Sequence, residues 1–122
     1  MANKVLIIDD DSRNIFALKA VLKARGYLCL SASGAQEGIA LLGRDKGIGV
    51  VLMDMMMPDM DGYEAIAKIN EHPDLKNIPV IAVTAQAMLG DRERCINAGA
   101  AGYVSKPINV EELTRLLTEH LQ

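Results

Sequence analysis

Five polar residues stand where apolar runs of this chain break off. Asp9 and Asp10 follow Lys4–Ile8, Asp54 follows Val50–Met53, Thr84 follows Pro79–Val83, and Lys106 follows Gly102–Val104. Three carboxylates brought together cannot all stay ionised at low cost without a cation, because like charges raise one another's pKa. A hard, oxygen-seeking dication is the natural partner. Mg²⁺ suits a site with one or two carboxylates, waters and a phosphoryl oxygen. Lys106 would add a compact positive charge and Thr84 a hydroxyl donor, both suited to phosphoryl oxygens. Such a set makes a phosphoryl-transfer site whose acceptor is an aspartate. Each member also has a plainer role. An acidic pair before a helix serves as a cap and dipole partner, a threonine is ordinary in a strand, and most lysines are solvated. Asp54 is the odd one, since an acid closing a buried strand needs compensation.

The elements that would position these residues are legible from periodicity. The apolar runs are Lys4–Ile8, Tyr27–Ser31, Val50–Met53, Pro79–Val83 and Gly102–Val104. Several are apolar throughout, as in strands covered on both faces. Helical patterns lie between them. The first starts near Asp11 or Ser12, carries Ile15, Leu18 and Leu22 on one face, and stops at Gly26. The second spans roughly Ala35–Leu42, against the helix cost of Gly38 and Gly43. Asp61-Gly62 reads as the turn before the third helix and Gly99 as the stop of the fourth. The fifth opens with Asn109-Val-Glu-Glu112, a capping-box-like spacing, and aligns Val110, Leu113, Leu117 and Leu121. Five strand–helix alternations imply a parallel sheet with right-handed crossovers and helices on both faces. All five polar residues then fall at the carboxyl ends of strands, the ligand-binding edge of an open parallel sheet. A strand order of 2-1-3-4-5 would bring Asp9, Asp10 and Asp54 together.

Composition narrows the classes. The 122 residues suit one compact domain with one hydrophobic core and are too few for two. Half are hydrophobic and 24% are charged, the balance of a globular protein. A net charge of −3, from 16 acidic and 13 basic residues, argues against a nucleic-acid partner. There is no apolar run of about 18 residues and no signal-peptide core before Asp9, so no membrane association and a cytoplasmic location are expected. Cys29 and Cys95 lack metal or disulfide spacing and are expected to be buried packing residues in a reducing compartment. Phe16, Tyr27, Tyr63 and Tyr103 are too few for a stacked-ring ligand site. Met53, Met55, Met56, Met57 and Met60 have no His or Cys company for a soft metal and are assigned to packing, and His72 and His120 to solvent.

Four stretches together resemble the receiver domain of bacterial two-component response regulators along essentially the whole chain. They are Val5-Leu-Ile-Ile-Asp9-Asp10-Asp11, Val51-Leu-Met-Asp54-Met-Met-Met-Pro58-Asp-Met-Asp-Gly62, Pro79-Val-Ile-Ala-Val-Thr84-Ala85 and Tyr103-Val-Ser-Lys106-Pro107. The resemblance implies an α/β, flavodoxin-like (βα)5 fold. It implies Asp54 as phosphoacceptor, Asp10 as a direct Mg²⁺ ligand, and Asp9 as an acid acting on the ion largely through water. Met56 matches the position that ligates the ion through its backbone carbonyl, so its side chain is irrelevant to ligation. Thr84 matches the switch hydroxyl, Tyr103 the aromatic switch residue, and Lys106 the phosphate-pairing lysine, followed by a cis peptide bond to Pro107. Met56 and Gln86 match the variable positions that tune the lifetime of the phosphoaspartate.

The implied partners are a histidine kinase or histidine phosphotransfer protein, and a downstream protein bound on the face of helix four, strand five and helix five. The implied state is a monomer, with phosphorylation-dependent dimerisation open. The stretch Thr84-Ala-Gln-Ala-Met88 with Gly90-Asp-Arg-Glu-Arg94 is more similar to receivers of hybrid kinases and single-domain cell-cycle regulators than to DNA-binding regulators. A Met1 start and an end just past helix five favour one stand-alone receiver over residues 1–122, without an output domain, over a hybrid-kinase module or phosphorelay intermediate. Two other classes share parts of the pattern. A haloacid-dehalogenase-type Mg²⁺ phosphatase would use Asp9-Asp10-Asp11-Ser12 as its nucleophile loop, but needs a metal-binding acid after the lysine, where only Glu111 and Glu112 occur. A flavodoxin-type FMN carrier would need a hydroxyl- and glycine-rich loop where three aspartates stand.

Overall fold

Both faces of every strand must be covered for runs such as Val-Leu-Ile-Ile to be stable, and the chain achieves this by alternating strand and helix. The computed structural model describes residues 2–85 and 90–121. The elements are β1 (Lys4–Ile8), α1 (Ser12–Ala24), β2 (Leu28–Ala32), α2 (Ala35–Arg44), β3 (Ile48–Asp54), α3 (Gly62–Glu71), β4 (Val80–Thr84), α4 (Asp91–Asn97), β5 (Gly102–Ser105) and α5 (Val110–His120). The five strands form one parallel sheet in the order β2-β1-β3-β4-β5. The flavodoxin-like α/β fold expected from the sequence is the fold observed.

Alternation along each strand divides the core into two layers. Leu6 and Ile8 of β1, Val51 and Met53 of β3, and Val80 and Ala82 of β4 face the layer completed by α2, α3 and Cys95 of α4. Val5, Ile7, Val50, Leu52, Ile81 and Val83 face the other, completed by Leu22 of α1 and Leu113 and Leu117 of α5. Met53, Met55, Met57 and Met60 are buried packing residues, whereas Met56 is 52% exposed. Cys95 is buried, but Cys29, on the edge strand β2, is only half-buried, which corrects the expectation of full burial. His72 is exposed, and its Nδ1 accepts from the Asp74 amide. His120 is half-buried rather than fully solvated.

Element ends differ from the sequence reading by one or two residues, for local reasons. The Tyr27 amide donates to Leu22 O at 3.0 Å and Gly26 N to Lys23 O at 3.0 Å, with Gly26 at φ 90. This left-handed cap ends α1 and keeps Tyr27 out of the ladder, so β2 begins at Leu28. Pro79 has no N–H to give. Its carbonyl accepts from Val51 N at 3.0 Å, and β4 starts one residue later. α2 runs on through Gly43 to Arg44, and its Gly38 is a packing residue, since a Cβ there would collide with Ile8. Among the described residues no helix is long and apolar enough to cross a membrane.

Candidate functional site

β1 and β3 are neighbours with Ile8 paired to Met53, so the residues closing them leave the sheet at the same edge. This is the point where the winding direction reverses. Ligand oxygens of Asp9, Asp10 and Asp54 lie within 4.8 Å of one another there. Asp9 and Asp54 are each only 6% exposed, and Asp10 lies on the exposed rim. The capping role that an acidic pair could have had falls to the third acid. Asp11 is the N-cap of α1 and accepts from Arg13 N at 2.9 Å, while Asp9 Oδ1 accepts from Asp11 N at 2.9 Å. Asp9 therefore orients the turn, and no described hydrogen bond spends Asp10 on the helix.

Asp54 is still in the ladder, paired with Val83. Its Oδ1 accepts from Met56 N at 3.1 Å, which fixes the carboxylate against the following loop. Burial pushes its pKa up from the ordinary 3.8 to about 6; the Met56 amide and the Lys106 ammonium oppose this, and Asp9 adds to it. Lys106 stands between two acids, with Nζ 3.5 Å from Asp9 Oδ2 and 3.8 Å from Asp54 Oδ2. It is placed by the sheet. Thr84 pairs with Ser105, and the Lys106 amide donates to Thr84 O at 2.8 Å. Thr84 itself is 3% exposed, so its hydroxyl belongs to the buried edge of the site. The Lys106–Pro107 peptide bond is cis. A cavity of about 310 Å³ has Asp9, Asp54 and Lys106 at its polar end and is walled by Leu18, Val21 and Ile108.

One ammonium against three carboxylates leaves the cluster with excess negative charge. The donors are all hard carboxylate oxygens, with no thiolate or imidazole, so the set fits Mg²⁺ and not a soft metal. Such an environment can hold a dication and the oxygens of a phosphoryl group, with Asp9 and Asp54 as its two enclosed carboxylates.

The other sequence candidates fall around this centre. Met56 follows Asp54 by two residues, with its side chain in solvent and its amide on the Asp54 carboxylate. Tyr103 is half-buried one strand away, and its hydroxyl donates to Asp91 Oδ2 at 3.0 Å. Gln86 lies outside the described residues. The acids that a dehalogenase-type phosphatase would require after the lysine are not in the cluster. Glu111 pairs with Arg25 at 3.1 Å on the surface, and Glu112 lies in the first turn of α5. Sequence reasoning passed over Asp91 and Tyr63, which meet Tyr103 in a polar group on α3, α4 and β5. Asp91 carried only the signal of an acid in a first helical turn, and Tyr63 none beyond its aromatic type.

The family model described as the response regulator receiver domain matches residues 5–118. The polar-differentiation response regulator DivK of Brucella ovis is 33% identical over 121 residues, covering 99% of this chain and 98% of that protein. Among solved structures, the chemotaxis protein CheY4 of Vibrio cholerae superposes with a TM-score of 0.88 at 26% identity, covering 99% of this chain and 100% of that one. The signal receiver domain of a histidine kinase from Syntrophus aciditrophicus gives 0.88 at 28% identity, covering 98% and 90%. With its sheet order, its acid-rich strand edge and a family match across nearly its full length, the chain belongs to the response regulator receiver domains, signalling modules of two-component systems.

Proposed function

We propose that Asp54 accepts a phosphoryl group from a histidine of a kinase or phosphotransfer protein, and that this covalent change resets a protein-binding surface. One observation carries the reading: a carboxylate 6% exposed, at the end of a central strand, is clustered with two further acids and one lysine. A purely structural acid would not be packed beside like charges.

In this reading Asp9, Asp10, Asp54 and the Met56 carbonyl hold Mg²⁺, which when bound offsets negative charge on the phosphoryl oxygens. An ionised Asp54 oxygen forms the new bond to phosphorus as the phosphorus–nitrogen bond of the donor phosphohistidine breaks, and the electron pair leaves with the imidazole. The Met56 amide, already on Oδ1, keeps the other carboxylate oxygen oriented. Lys106, within 4 Å of both buried acids, is placed to pair with a phosphoryl oxygen, and Thr84 to donate to another. The phosphoryl group adds about one negative charge and three acceptor oxygens. Thr84 then moves toward it and Tyr103 into the space released, altering the face formed by α4, β5 and α5, where the downstream protein binds. Shifting a population from 1:99 to 99:1 takes about 5.5 kcal/mol, more than one hydrogen bond to a charged group supplies, so several contacts must act together.

The unit proposed is one receiver domain over residues 1–122, acting in the cytoplasm as a monomer whose dimerisation would follow phosphorylation, with no nucleic-acid or membrane partner. The same site would serve a hybrid-kinase receiver or phosphorelay intermediate that returns the group to a histidine. The test is intact-mass measurement after incubation with a small acyl phosphate and Mg²⁺. One Mg²⁺-dependent phosphoryl adduct is expected on the wild type and none on Asp54→Asn; an adduct on that variant refutes the assignment.

A further inference from the structure

α4 is short, and the only side chain it buries is that of Cys95, so what else fastens it matters. Its first residue, Asp91, uses both carboxylate oxygens on other elements. Oδ1 accepts from the Tyr63 hydroxyl at 3.2 Å and Oδ2 from the Tyr103 hydroxyl at 3.0 Å. Tyr63 is the second residue of α3 and Tyr103 the second of β5, so one carboxylate ties three elements together. The Arg94 guanidinium stands 4.4 Å above the Tyr63 ring, and Cys95 Sγ lies 3.8 Å from its hydroxyl. Burial first pushes both tyrosines up to about 12, with Cys95 and then Asp91 adding to it at Tyr63, and Asp91 at Tyr103, so both remain hydroxyl donors at ordinary pH. An acid in a first helical turn is usually explained by the helix dipole. Here both oxygens are engaged across elements, and the dipole alone would not aim them there.

The geometry points to Asp91 as a positioning residue that holds Tyr103 and α4 in the unphosphorylated arrangement, so that release of this two-tyrosine clamp is part of switching. The inference rests on the reading of Asp54 as phosphoacceptor. A Tyr103 ring that moves toward the phosphoryl site must give up its bond to Asp91, while Tyr63 keeps that carboxylate in place. The clamp therefore opposes the switched state. By reciprocity of linked equilibria it also weakens any ligand that favours that state from the Asp54 side.

The test is titration of the full chain with beryllofluoride, a phosphoryl mimic, at fixed Mg²⁺, following the bound fluorine-19 resonance. Asp91→Ala should bind it about tenfold more tightly than wild type, the scale of one hydrogen bond to a charged group. Tyr63→Phe, which frees the carboxylate on one side only, should give a smaller gain. A merely structural Asp91 would lower the melting temperature and leave this affinity unmoved. Unchanged or weaker binding by Asp91→Ala overturns the clamp. If that variant does not fold, Asp91→Asn, which keeps an acceptor oxygen without the charge, must show the same direction of change; unchanged or weaker binding there also overturns it. A wild type with no Mg²⁺-dependent bound resonance would instead bring down the Asp54 reading, and the clamp with it.

Discussion

Asp54→Asn should make the protein more stable at neutral pH, not less. The wild-type carboxylate is buried, and its pKa is raised from 3.8 to about 6. A raised acid pKa means that the fold prefers the protonated form. The penalty for ionising Asp54 is therefore absent below about pH 3.8, grows as pH rises toward 6, and is fully present above that. At about 1.4 kcal/mol per pH unit the penalty reaches at most about 3 kcal/mol at pH 7. Asparagine has nearly the same volume, and its Oδ1 can keep the bond from the Met56 amide at 3.1 Å. Its amide nitrogen can donate to Asp9, whose charge in the wild type raises the Asp54 pKa. What is lost is the attraction to Lys106 at 3.8 Å, a long contact. A net gain of about 1–3 kcal/mol is therefore expected, or about 3–12 °C in melting temperature for a domain of this size. Urea and thermal unfolding of both proteins, in chelator, at pH 7.5, 5 and 4 would measure it. The gain should shrink steadily as pH falls and be nearly gone at pH 4. A variant less stable than wild type at pH 7.5, or a gain independent of pH, would refute the claim that burial dominates at Asp54.

Further outcomes are expected for six other variants. Asp10→Ala should fold normally, melt at or above the wild-type temperature in chelator, and lose most of the stabilisation that millimolar Mg²⁺ gives the wild type through mass action. Thr84→Ala should still form the phosphoryl adduct by intact mass but show weaker amide shift changes across α4, β5 and α5, and Lys106→Ala should uncouple phosphorylation from those changes more completely. Gly38→Ala should cost about 1 kcal/mol in urea unfolding, because overpacking against Ile8 outweighs alanine's helix propensity, whereas Gly43→Ala, with open space around its Cβ, should stabilise by up to about 1 kcal/mol. Asn109→Ala should cost about 1 kcal/mol, since Asn109 Oδ1 accepts from Glu112 N at 3.0 Å and caps α5.

The fold was legible wherever an apolar run ended at a residue with its own backbone demand. β1 matches its run to the residue because Lys4 and Asp9 bound it chemically. α1 stops where Gly26 takes a positive φ. Departures occur where a backbone group is claimed by a neighbouring element. Tyr27 looks like strand by side chain, yet its amide closes α1. Asp54 looks by charge like the residue just past β3, yet it is the last residue of that strand and stays paired with Val83, with the Lys106 ammonium and the Met56 amide offsetting part of its burial. Gly38 weighs against a helix by propensity alone, and only the closeness of Ile8 beneath it shows why a helix there carries glycine.

The acid cluster was readable for a different reason. In a parallel sheet, position along a strand also sets position on the molecule, so residues closing β1, β3, β4 and β5 share an edge once the strand order is known. That inference needs only residue type and element order. The group formed by Tyr63, Asp91 and Tyr103 obeys no such rule, because its members sit at the starts of α3 and α4 and inside β5. Whether a tyrosine hydroxyl reaches a carboxylate across three elements depends on helix placement to within an ångström or so, which periodicity does not encode. The two groups are nonetheless joined through the sheet. Thr84 and Ser105 pair across β4 and β5, Lys106 hangs from the Thr84 carbonyl, and Tyr103 lies two residues before Ser105. A displacement at the Thr84 backbone would reach Tyr103 through a short stretch of β5, and under the proposed clamp it would meet its resistance at Asp91. Under that proposal coupling would depend on how firmly one carboxylate holds two hydroxyls, a contact that can be changed without touching a residue that would meet the phosphoryl group.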